Sequence, residues 1–482
     1  MDSNNTIVAI STATGSAGIG IIRMSGKDSF KVLKKIFVPK NQDDKIKGYT
    51  MKYGNIVDKD KIIDEVLVSY FVAPKSYTKE DMCEINSHGG MVVEKEILEL
   101  CLKNGAELAN PGEFTQRAFL NGRIDLTQAE AIMDLIKAKG EKEAEESMNQ
   151  LKGALSNQIS KIEDELLSTI TAIEVTVDYP EYDIEEVENR DALKELLNAK
   201  NDLLKLKSGF NKGKILKDGI KTVILGRPNA GKSSLLNAIL REDRAIVSSI
   251  EGTTRDTIEE YININGITLK MIDTAGIRQT ENEIEKIGVK KAKDLANSAD
   301  LIIAIFDISR DLSDEDLEII DIIKNKNAII VLNKSDIMQN NLDVENVVKK
   351  AGKKVIKISA KNGDGIDDLY KEIEELFDLN KISADNNVII TNERHKNQIN
   401  KAISDIDLAI DSIEKNMPID MTSIYIRQTL IDLGEITGKN VTDDIINNIF
   451  KNFCLGKWKI VLKLWIMSLL KLIFGHFFEL VS

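Results

Sequence analysis

Cysteine, proline and histidine are all scarce in this 482-residue sequence, and each shortage excludes a class of protein. Three cysteines without metal-ligand spacing cannot form a disulfide framework, so we expect a reducing, cytoplasmic location and no zinc site. The three histidines form no cluster that would support a metal centre. Six prolines exclude a proline-rich fibrous or linker-dominated chain.

The balance of charge is acidic, with 78 Asp and Glu residues against 65 Lys and Arg residues. A net charge of −13 disfavours a protein that coats nucleic acid through net charge alone, but it leaves room for a local basic groove. The amino terminus lacks a basic segment and a long apolar core, so we expect no secretory signal. At roughly one domain per 150 residues, the length predicts about three domains.

Hydrophobic patterning divides the chain into parts of different character. Short apolar runs between Gly and Asn turns predict an α+β domain over residues 1–120. Residues 121–217 and 380–457 are predicted to be helical, and in both an apolar face steps by three and four residues. We expect these faces to pack directly on each other, which makes residues 218–379 an insertion in one discontinuous helical domain. The two faces consist of Leu151, Leu155, Ile159, Ile162, Leu166, Ile170 and Ile173, and of Ile399, Ile403, Ile406, Ile410 and Ile413.

The inserted segment alternates strand and helix signals, which predicts a doubly wound, mostly parallel sheet. Asn265 and Gly266 lie between two alternating runs and indicate a hairpin turn. The fold class is therefore multidomain α/β. The predicted buried strands are Lys221–Leu225, Leu301–Phe306, Ala328–Leu332 and Val355–Ile358.

The sequence GRPNAGKS at 226–233 matches the phosphate-binding pattern G-x-x-x-x-G-K-S/T between a predicted strand and a predicted helix. Its glycines let backbone N–H groups surround phosphate oxygens. Lys232 places a positive charge beside the β- and γ-phosphates, and Ser233 offers a hydroxyl to Mg²⁺. A glycine-rich turn without a ligand is the alternative, and the strand–loop–helix context argues against it.

Two segments after this P-loop offer groups for Mg²⁺ and the γ-phosphate. In GTTRD (252–256), Thr254 supplies a second hydroxyl. The segment DTAG (273–276) ends an apolar strand, where Asp273 can hold the water shell of the metal and Gly276 can contact the γ-phosphate.

Two later segments offer groups that recognise guanine. NKSD (333–336) follows a predicted strand, and Asp336 can accept hydrogen bonds from the N1–H and 2-amino group of guanine, which adenine cannot supply. SAK (359–361) follows the next strand and can contact the oxygen of the base. Each short segment alone fits an ordinary polar turn. In this order and at strand ends, the segments resemble those of the GTPase family.

The glutamine that orients the attacking water in Ras-like GTPases is missing, because Ile277 stands after the DTAG segment. A carboxylate can replace it, and Glu281, Glu283 and Glu285 are the candidates. Asn229 could ligate a K⁺ ion that offsets developing charge as an arginine finger does. A turn residue without an ion is the alternative for Asn229, and the sequence without a family favours it.

Longer segments outside the GTPase motifs carry a closer resemblance. SYTKEDMCEINSHGG (76–90) and PGEFTQRAFLNGRIDLTQAEAIMDLI (111–136) are unlike the flanks of translation or ribosome-assembly GTPases. Together with the amino-terminal TIVAISTATGSAGIGIIRMSG and with FCLGK (453–457), they resemble the MnmE (TrmE) family of tRNA modification GTPases. The resemblance extends from about Thr6 to Lys457.

The resemblance implies an assembly and a reaction. The family's amino-terminal domain is similar to tetrahydrofolate-binding modules and dimerises, so residues 1–120 are expected to form a homodimer. The family acts with an FAD-dependent partner, MnmG, in a heterotetramer on the tRNA anticodon. There, K⁺-stimulated GTP hydrolysis supports formation of a carboxymethylaminomethyl or aminomethyl group at C5 of wobble uridine (position 34). The one-carbon unit comes from methylenetetrahydrofolate or a 5-formyltetrahydrofolate-like folate.

The resemblance also implies roles for matching residues of the GTPase segments. Glu285 and Lys232 match catalytic positions, and Ser233 and Thr254 match the Mg²⁺ ligands. The positions that match K⁺ ligands are Asn229, Ser248, Ile250 and Thr253. The positions expected to bind GTP are Asn229, Ala230, Gly231, Lys232, Ser233, Ser234, Ser248, Ser249, Ile250, Glu251, Gly252, Thr253, Thr254, Asp273, Thr274, Ala275, Gly276, Asn333, Lys334, Asp336, Ser359, Ala360 and Lys361.

Arg23, Glu84, Arg123 and Lys457 match the family's folate-binding positions. A carboxylate such as Glu84 can pair with pterin N–H and amino groups, and the cations can meet carbonyl or glutamyl oxygens. A structural ion pair at Glu84 and a surface position for Arg123 are the alternatives. Cys454 matches a cysteine considered catalytic, whose thiolate would add to C6 of uracil. A packing role near the folate is the other interpretation of Cys454.

Residues 458–482 form a tail that differs from the rest of the chain. It contains both tryptophans and carries a net charge of +2. Its longest uncharged runs, of seven residues, are too short for a membrane span. The family normally ends at the position of Lys457, so a frameshift or read-through accounts for the tail better than an interfacial helix, and we expect no stable membrane association. The apolar residues that follow Lys457 put its folate role in question.

Two other classes of function stay open at this stage. A ribosome-assembly GTPase shares the GRPNAGKS and NKSD motifs, but it predicts a basic RNA-binding module, and the flanking sequences contain no convincing one. A membrane-recruited GTPase would act through residues 458–482.

Overall fold

The computed structural model describes residues 5–13, 15–41, 45–178, 185–241, 245–246, 260–264, 266–272, 288–337, 342–378, 388–451 and 453. The chain forms two compact units, one of residues 1–133 and 434–482 and one of residues 134–433. None of the described helices has both the length and the apolar character that crossing a bilayer requires. The domain boundaries at 120, 217, 379 and 457 stay a prediction.

The first unit contains the α+β fold that its sequence predicts. Among the described residues, a seven-stranded sheet has the order β3-β4-β5-β6-β2-β1-β7. Helices α1 and α2 pack on one face, where Leu33, Ile97, Ile22 and Ile85 are fully or almost fully buried. The strands are β1 (Ile7–Ile10), β2 (Ala17–Ser25), β3 (Phe37–Pro39), β4 (Thr50–Asp58), β5 (Lys61–Phe71), β6 (Met82–Gly89) and β7 (Glu107–Leu108), and the helices are α1 (Ser29–Ile36) and α2 (Met91–Lys103).

A small helical layer in the same unit joins distant parts of the sequence. Helices α3 (Glu113–Leu120) and α4 (Leu126–Lys137) share a core with Phe450 and Phe453, whose ring centroids lie 4.9 Å apart. At Gly112, with φ of +66°, an added Cβ would lie 2.7 Å from Cβ of Phe453. Glycine is therefore required where this turn meets the carboxyl-terminal segment.

The second unit begins and ends with long helices. From Leu155 to Ile173 the predicted face is buried in α6, which ends two residues before Pro180. Leu151 was wrongly included, because it ends the preceding helix α5 and is only half-buried. Helix α7 packs against both α6 and α14, so the prediction that α6 packs directly on α14 missed the main neighbour of both. Among the described residues these helices are α5 (Glu141–Leu151), α6 (Ala154–Asp178), α7 (Glu185–Ser208) and α8 (Phe210–Asp218), with α14 (Glu393–Glu414), α15 (Ile419–Thr437) and, in the first unit, α16 (Asp443–Lys451) later in the chain.

Between α8 and α14 lies the predicted doubly wound sheet. Over the described residues its strand order is β14-β13-β12-β8-β11-β10-β9, with parallel pairing from β14 to β11 and an antiparallel β11-β10-β9 edge. The strands are β8 (Ile220–Leu225), β9 (Ala245–Ile246), β10 (Glu260–Ile264), β11 (Ile267–Met271), β12 (Leu301–Asp307), β13 (Ala328–Asn333) and β14 (Lys354–Ile358). Each predicted strand is confirmed within two residues at either end, but β14, at the edge of the sheet, is buried only at Ile356 and Ile358.

Apolar runs explain why helices cover both faces of this sheet. Every residue of β12 and β13 is buried, as expected of strands enclosed on both sides. The β10–β11 hairpin forms as predicted, although Asn265 lies outside the described residues. The helices are α9 (Lys232–Arg241) and α13 (Ile366–Leu376) over one core, and α10 (Gly288–Ser298), α11 (Asp314–Ile323) and α12 (Leu342–Lys349) over the other.

Two adjacent leucines in α6 test the helical core. Leu166 is fully buried, whereas 55 % of Leu167 is exposed. We expect Leu166→Ala to lower the free energy of unfolding by about 2–5 kcal/mol, because it removes buried methyl groups and leaves a cavity. The matched Leu167→Ala variant should change it by no more than about 0.5 kcal/mol. Urea unfolding followed by circular dichroism measures both, and equal effects would show that the described face is wrong.

Candidate functional site

The P-loop occupies the turn between β8 and α9 at the carboxyl end of the parallel strands. Strand β8 ends at Leu225 and α9 begins at Lys232. Asn229 and Gly231 have φ of +62° and +102°, so the chain turns sharply here. An added Cβ at Gly231 would lie 2.1 Å from Nδ2 of Asn333, which leaves room only for glycine.

Lys232 lies along the inside of this turn. Its Nζ donates hydrogen bonds to the carbonyl oxygens of Gly226 at 2.7 Å and Arg227 at 2.9 Å. Ser233, one residue further into α9, is exposed in the first turn of the helix. The loop therefore holds an ammonium, a hydroxyl and the amino terminus of a helix together, which is an arrangement suited to phosphate.

Asn333 joins this loop to the two segments expected to recognise the base. Its side chain is 2 % exposed, its Nδ2 donates to the carbonyl of Ala230 at 2.9 Å, and its Oδ1 accepts from the N–H of Ala360 at 3.0 Å. One amide thus fixes the P-loop, the NKSD segment and the SAK segment relative to one another.

The carboxylate expected to read guanine stands beside the SAK segment. Asp336 is exposed, and its Oδ1 accepts a hydrogen bond from the Ser359 hydroxyl at 2.8 Å. The backbone N–H of Ser359 donates to the carbonyl of Asp364 at 3.0 Å, which closes the turn after β14. Asp336 is therefore presented at the strand edge by a serine that is itself held in place.

Lys334 occupies an unusual backbone conformation between Asn333 and Asp336. Its φ is +69°, in the left-handed region that costs a non-glycine residue about 1–2 kcal/mol. Its Nζ donates to Oδ2 of Asp307 at 2.6 Å. Burial alone would raise the pKa of Asp307, but hydrogen bonds from Lys334 and Ser309 outweigh burial and lower this pKa, so Asp307 is a carboxylate at neutral pH.

Several predicted site residues lie outside the described residues. They are Ser248, Ser249, Ile250, Glu251, Gly252, Thr253, Thr254, Asp273, Thr274, Ala275, Gly276, Ile277, Glu281, Glu283, Glu285, Cys454, Lys457 and the tail 458–482.

Three predicted folate residues lie together in the first unit. Arg23 on β2 and Glu84 on β6 are direct cross-strand partners, with Nη2 of Arg23 2.7 Å from Oε1 of Glu84. The guanidinium carbons of Arg23 and Arg123 lie 5.4 Å and 4.7 Å from the ring centroid of Tyr77. The guanidinium carbon of Arg23 also lies 5.6 Å from the ring centroid of Phe114. Two positive charges, one carboxylate and two rings therefore form one cluster.

Sequence reasoning missed three residues of these sites. Tyr77 and Phe114 lie in the segments SYTKED and PGEF. These segments carry the family resemblance, but neither aromatic ring was predicted to belong to a binding site. Asp307 ends an apolar strand, and a carboxylate at the end of a buried parallel strand is the signal that could have identified it.

The described residues offer neither a cluster of metal ligands nor a reactive thiol. They contain no group of three or more His, Cys, Asp and Glu side chains arranged to hold a metal ion. Cys83 and Cys101 are free and buried, and burial raises the pKa of Cys101 to about 12. Burial also raises the pKa of Cys83, so both stay protonated thiols at neutral pH.

Known proteins resemble this chain over most of its length. Residues 6–123 match the family of the GTP-binding protein TrmE N-terminus, and residues 126–454 match the MnmE helical domain. The tRNA modification GTPase MnmE of Alkaliphilus oremlandii is 47 % identical over 94 % of this chain and 99 % of its own length. The tRNA modification GTPase MnmE of Finegoldia magna is 49 % identical over 94 % and 100 %.

Among solved structures, the G domain of the T. maritima FeoB iron transporter is 24 % identical and covers 33 % of this chain and 98 % of its own, with a TM-score of 0.25. A score this low carries no argument about the fold. The two matching families instead cover both flanks and the inserted sheet. The chain therefore belongs to the MnmE family of tRNA modification GTPases and is a GTP hydrolase.

Proposed function

We propose that this GTPase is stimulated by K⁺ and forms the carboxymethylaminomethyl or aminomethyl group at C5 of wobble uridine in certain tRNAs. It would act with an FAD-dependent, MnmG-like partner and a methylenetetrahydrofolate-type one-carbon donor. The observation that carries this proposal is that Arg23 and Arg123 meet at the ring of Tyr77 and that Glu84 pairs with Arg23, because Arg23, Glu84 and Arg123 match the folate positions of the family.

The chemistry of this cluster suits a folate. Glu84 is half-buried, so its carboxylate is partly withdrawn from water and can accept hydrogen bonds from a pterin ring. Arg23 occupies one oxygen of that carboxylate, and the exposed Arg123 can meet carbonyl or glutamyl oxygens. Lys457 would add a further cation. When bound, the folate would supply the one-carbon unit.

The described part of the P-loop also fits the two cations. Ser233 is exposed in the first turn of α9, where its hydroxyl can serve Mg²⁺ together with Thr254. Asn229 is exposed with a left-handed backbone, so its amide oxygen can reach K⁺ together with Ser248, Ile250 and Thr253. When bound beside the phosphates, the cations would offset charge that develops during hydrolysis.

We assign the steps of hydrolysis to residues of this chain. Lys232 holds the β- and γ-phosphate oxygens, because its ammonium already lies inside the P-loop. Glu285 accepts a proton from the attacking water in place of the glutamine of Ras-like GTPases. Asp336 selects guanine. Cys454 either activates the uracil ring or packs beside the folate.

The proposed assembly is cytoplasmic and contains two copies of this chain. Residues 1–120 would pair the copies, the MnmG-like partner would complete a heterotetramer, and the tRNA anticodon would be the shared substrate. Within each copy, residues 121–217 and 380–457 would carry the GTPase domain 218–379.

Mass spectrometry of tRNA nucleosides tests this function. Cells that lack the chain should lose the C5-modified wobble uridine, and the full chain should restore it. Restoration should fail for Glu285→Ala, because the modification depends on GTP hydrolysis. Nucleosides that are unchanged in cells without the chain would contradict the proposal.

We expect Glu285→Ala to slow GTP turnover by about 100-fold or more, since a positioned general base contributes about 10²–10⁴-fold. Affinity for GDP should stay within about twofold, because the carboxylate acts on water and not on the nucleotide. Glu281→Ala and Glu283→Ala are matched controls and should hydrolyse GTP normally. If either control loses as much activity as Glu285→Ala, the catalytic glutamate is misassigned.

We expect GTP turnover in K⁺ to exceed turnover in Na⁺ at equal ionic strength by about 10-fold or more, because a cation of the wrong size fills the site poorly. Asn229→Ala should abolish this difference while retaining slow hydrolysis. Steady-state phosphate release measures both proteins. Equal rates of the unaltered chain in the two salts would reject the cation site.

We expect Arg23→Ala and Glu84→Gln each to weaken binding of 5-formyltetrahydrofolate by about 10-fold or more, since hydrogen bonds to charged groups contribute about 1.5–3 kcal/mol. Lys61→Ala is the control, because it breaks an exposed ion pair with Glu96 in the same unit and should leave binding unchanged. Isothermal titration calorimetry measures the three affinities. Unchanged binding in both site variants would remove the folate from the proposal.

A further inference from the structure

We propose that Asp307 is a positioning residue for guanine recognition, which acts by holding Lys334 and thereby fixing the place of Asp336. This inference rests on the base-reading role proposed for Asp336. Asp307 stands outside the P-loop, NKSD and SAK segments, and its carboxylate acts through Lys334.

Asp307 and the NKSD segment occupy neighbouring strand ends. Asp307 is the last residue of β12 and pairs in parallel register with Asn333, the last residue of β13. The N–H of Ile308 donates to the carbonyl of Asn333 at 3.1 Å. Asp307 is only 3 % exposed, so its side chain is held by neighbouring protein groups and has little contact with water.

Both oxygens of the Asp307 carboxylate have defined partners. Oδ1 accepts from the backbone N–H of Ser309 at 3.0 Å and from the Ser309 hydroxyl at 2.6 Å. Oδ2 accepts from Nζ of Lys334 at 2.6 Å. Ser309 therefore fixes the rotation of the carboxylate and directs its second oxygen towards Lys334. The Arg310 guanidinium is mostly exposed, with Nε 3.9 Å from Oδ2, so it is a weaker partner.

Lys334 is the residue of the NKSD segment whose backbone is strained. The side chain of Asn333 is held by the P-loop and by Ala360, while Asp336 meets Ser359. Between these two anchors, Lys334 has φ of +69°, which a lysine adopts only when its surroundings enforce it. Without the ion pair, relaxation of Lys334 towards an ordinary backbone would displace Asp336 from its place beside Ser359.

Comparing the affinities of GDP and IDP distinguishes two possible roles of Asp307, which are to position Asp336 and to support the fold in general. The base of IDP lacks the 2-amino group, so IDP loses one of the two hydrogen bonds to Asp336. A displaced Asp336 reduces the preference for GDP over IDP. A general loss of structure weakens the binding of both nucleotides by the same factor.

The test measures dissociation constants of GDP and IDP for the full chain by isothermal titration calorimetry. Asp307→Asn keeps the shape of the side chain and removes its charge. We expect it to weaken binding of GDP by about 10-fold or more and to weaken binding of IDP by a smaller factor. Asp336→Asn is the reference for complete loss of the preference. Arg310→Ala is the matched control, since it removes the exposed partner of the same carboxylate, and both affinities should stay within about twofold.

Equal weakening of GDP and IDP by Asp307→Asn, or no weakening, would overturn the positioning role. If Asp307→Asn does not fold, Ser309→Ala replaces it, because it removes the hydroxyl that orients the carboxylate but keeps every charge. Ser309→Ala should lower the GDP preference in the same direction, and an unchanged preference would overturn the proposal. An unaltered preference in Asp336→Asn would instead refute the base-reading role itself.

Discussion

One side-chain amide holds the nucleotide-binding edge of this protein together. Asn333 reaches from the end of β13 to Ala230 on one side and to Ala360 on the other, and it is almost completely withdrawn from water. A buried amide whose partners were missing would cost about 1–3 kcal/mol for each unpaired group. Its donor and acceptor therefore both constrain the loops, and the P-loop, NKSD and SAK segments keep one relative arrangement.

The same constraint explains the residues around Asn333. Gly231 is required because the Asn333 amide occupies the space that a Cβ would need. Lys334 takes a left-handed backbone directly after the anchored asparagine, and Asp307 and Ser309 hold it there. The site is thus assembled from the ends of four adjacent parallel strands, β8, β12, β13 and β14, where the doubly wound fold leaves its loops free to bind ligands.

In the amino-terminal unit, charged side chains and not an amide hold the predicted folate-binding residues together. Register between β2 and β6 places Arg23 opposite Glu84, so the ion pair follows from strand pairing. Arg123 comes from the turn after α3, where its N–H bonds to the carbonyl of Ala118 and Gly122 has φ of +65°. Tyr77 lies close to both guanidiniums, which gives two repelling cations a shared electron-rich surface.

Periodicity was sufficient to predict the parallel strands and the buried face of α6, because burial is written into the spacing of apolar residues. It failed for the neighbour of α6, since α7 has a weakly patterned sequence and its place between α6 and α14 depends on tertiary packing. Motif order predicted which segments meet at the strand edge, and the described segments, the P-loop, NKSD and SAK, do meet there. The roles of Asn333 as a bridge and Asp307 as a partner of Lys334 depend on side-chain contacts between strands, which no local pattern contains.

We infer that this strand edge is a preassembled guanine-nucleotide site. Titration of the full chain with GDP and with ADP in the calorimeter tests it most directly. We expect one GDP bound per chain with a preference over ADP of about 10⁴-fold, because a site built to hydrogen-bond a base rejects one that lacks the matching groups. Equal affinity for the two nucleotides, or no binding of either, would contradict it.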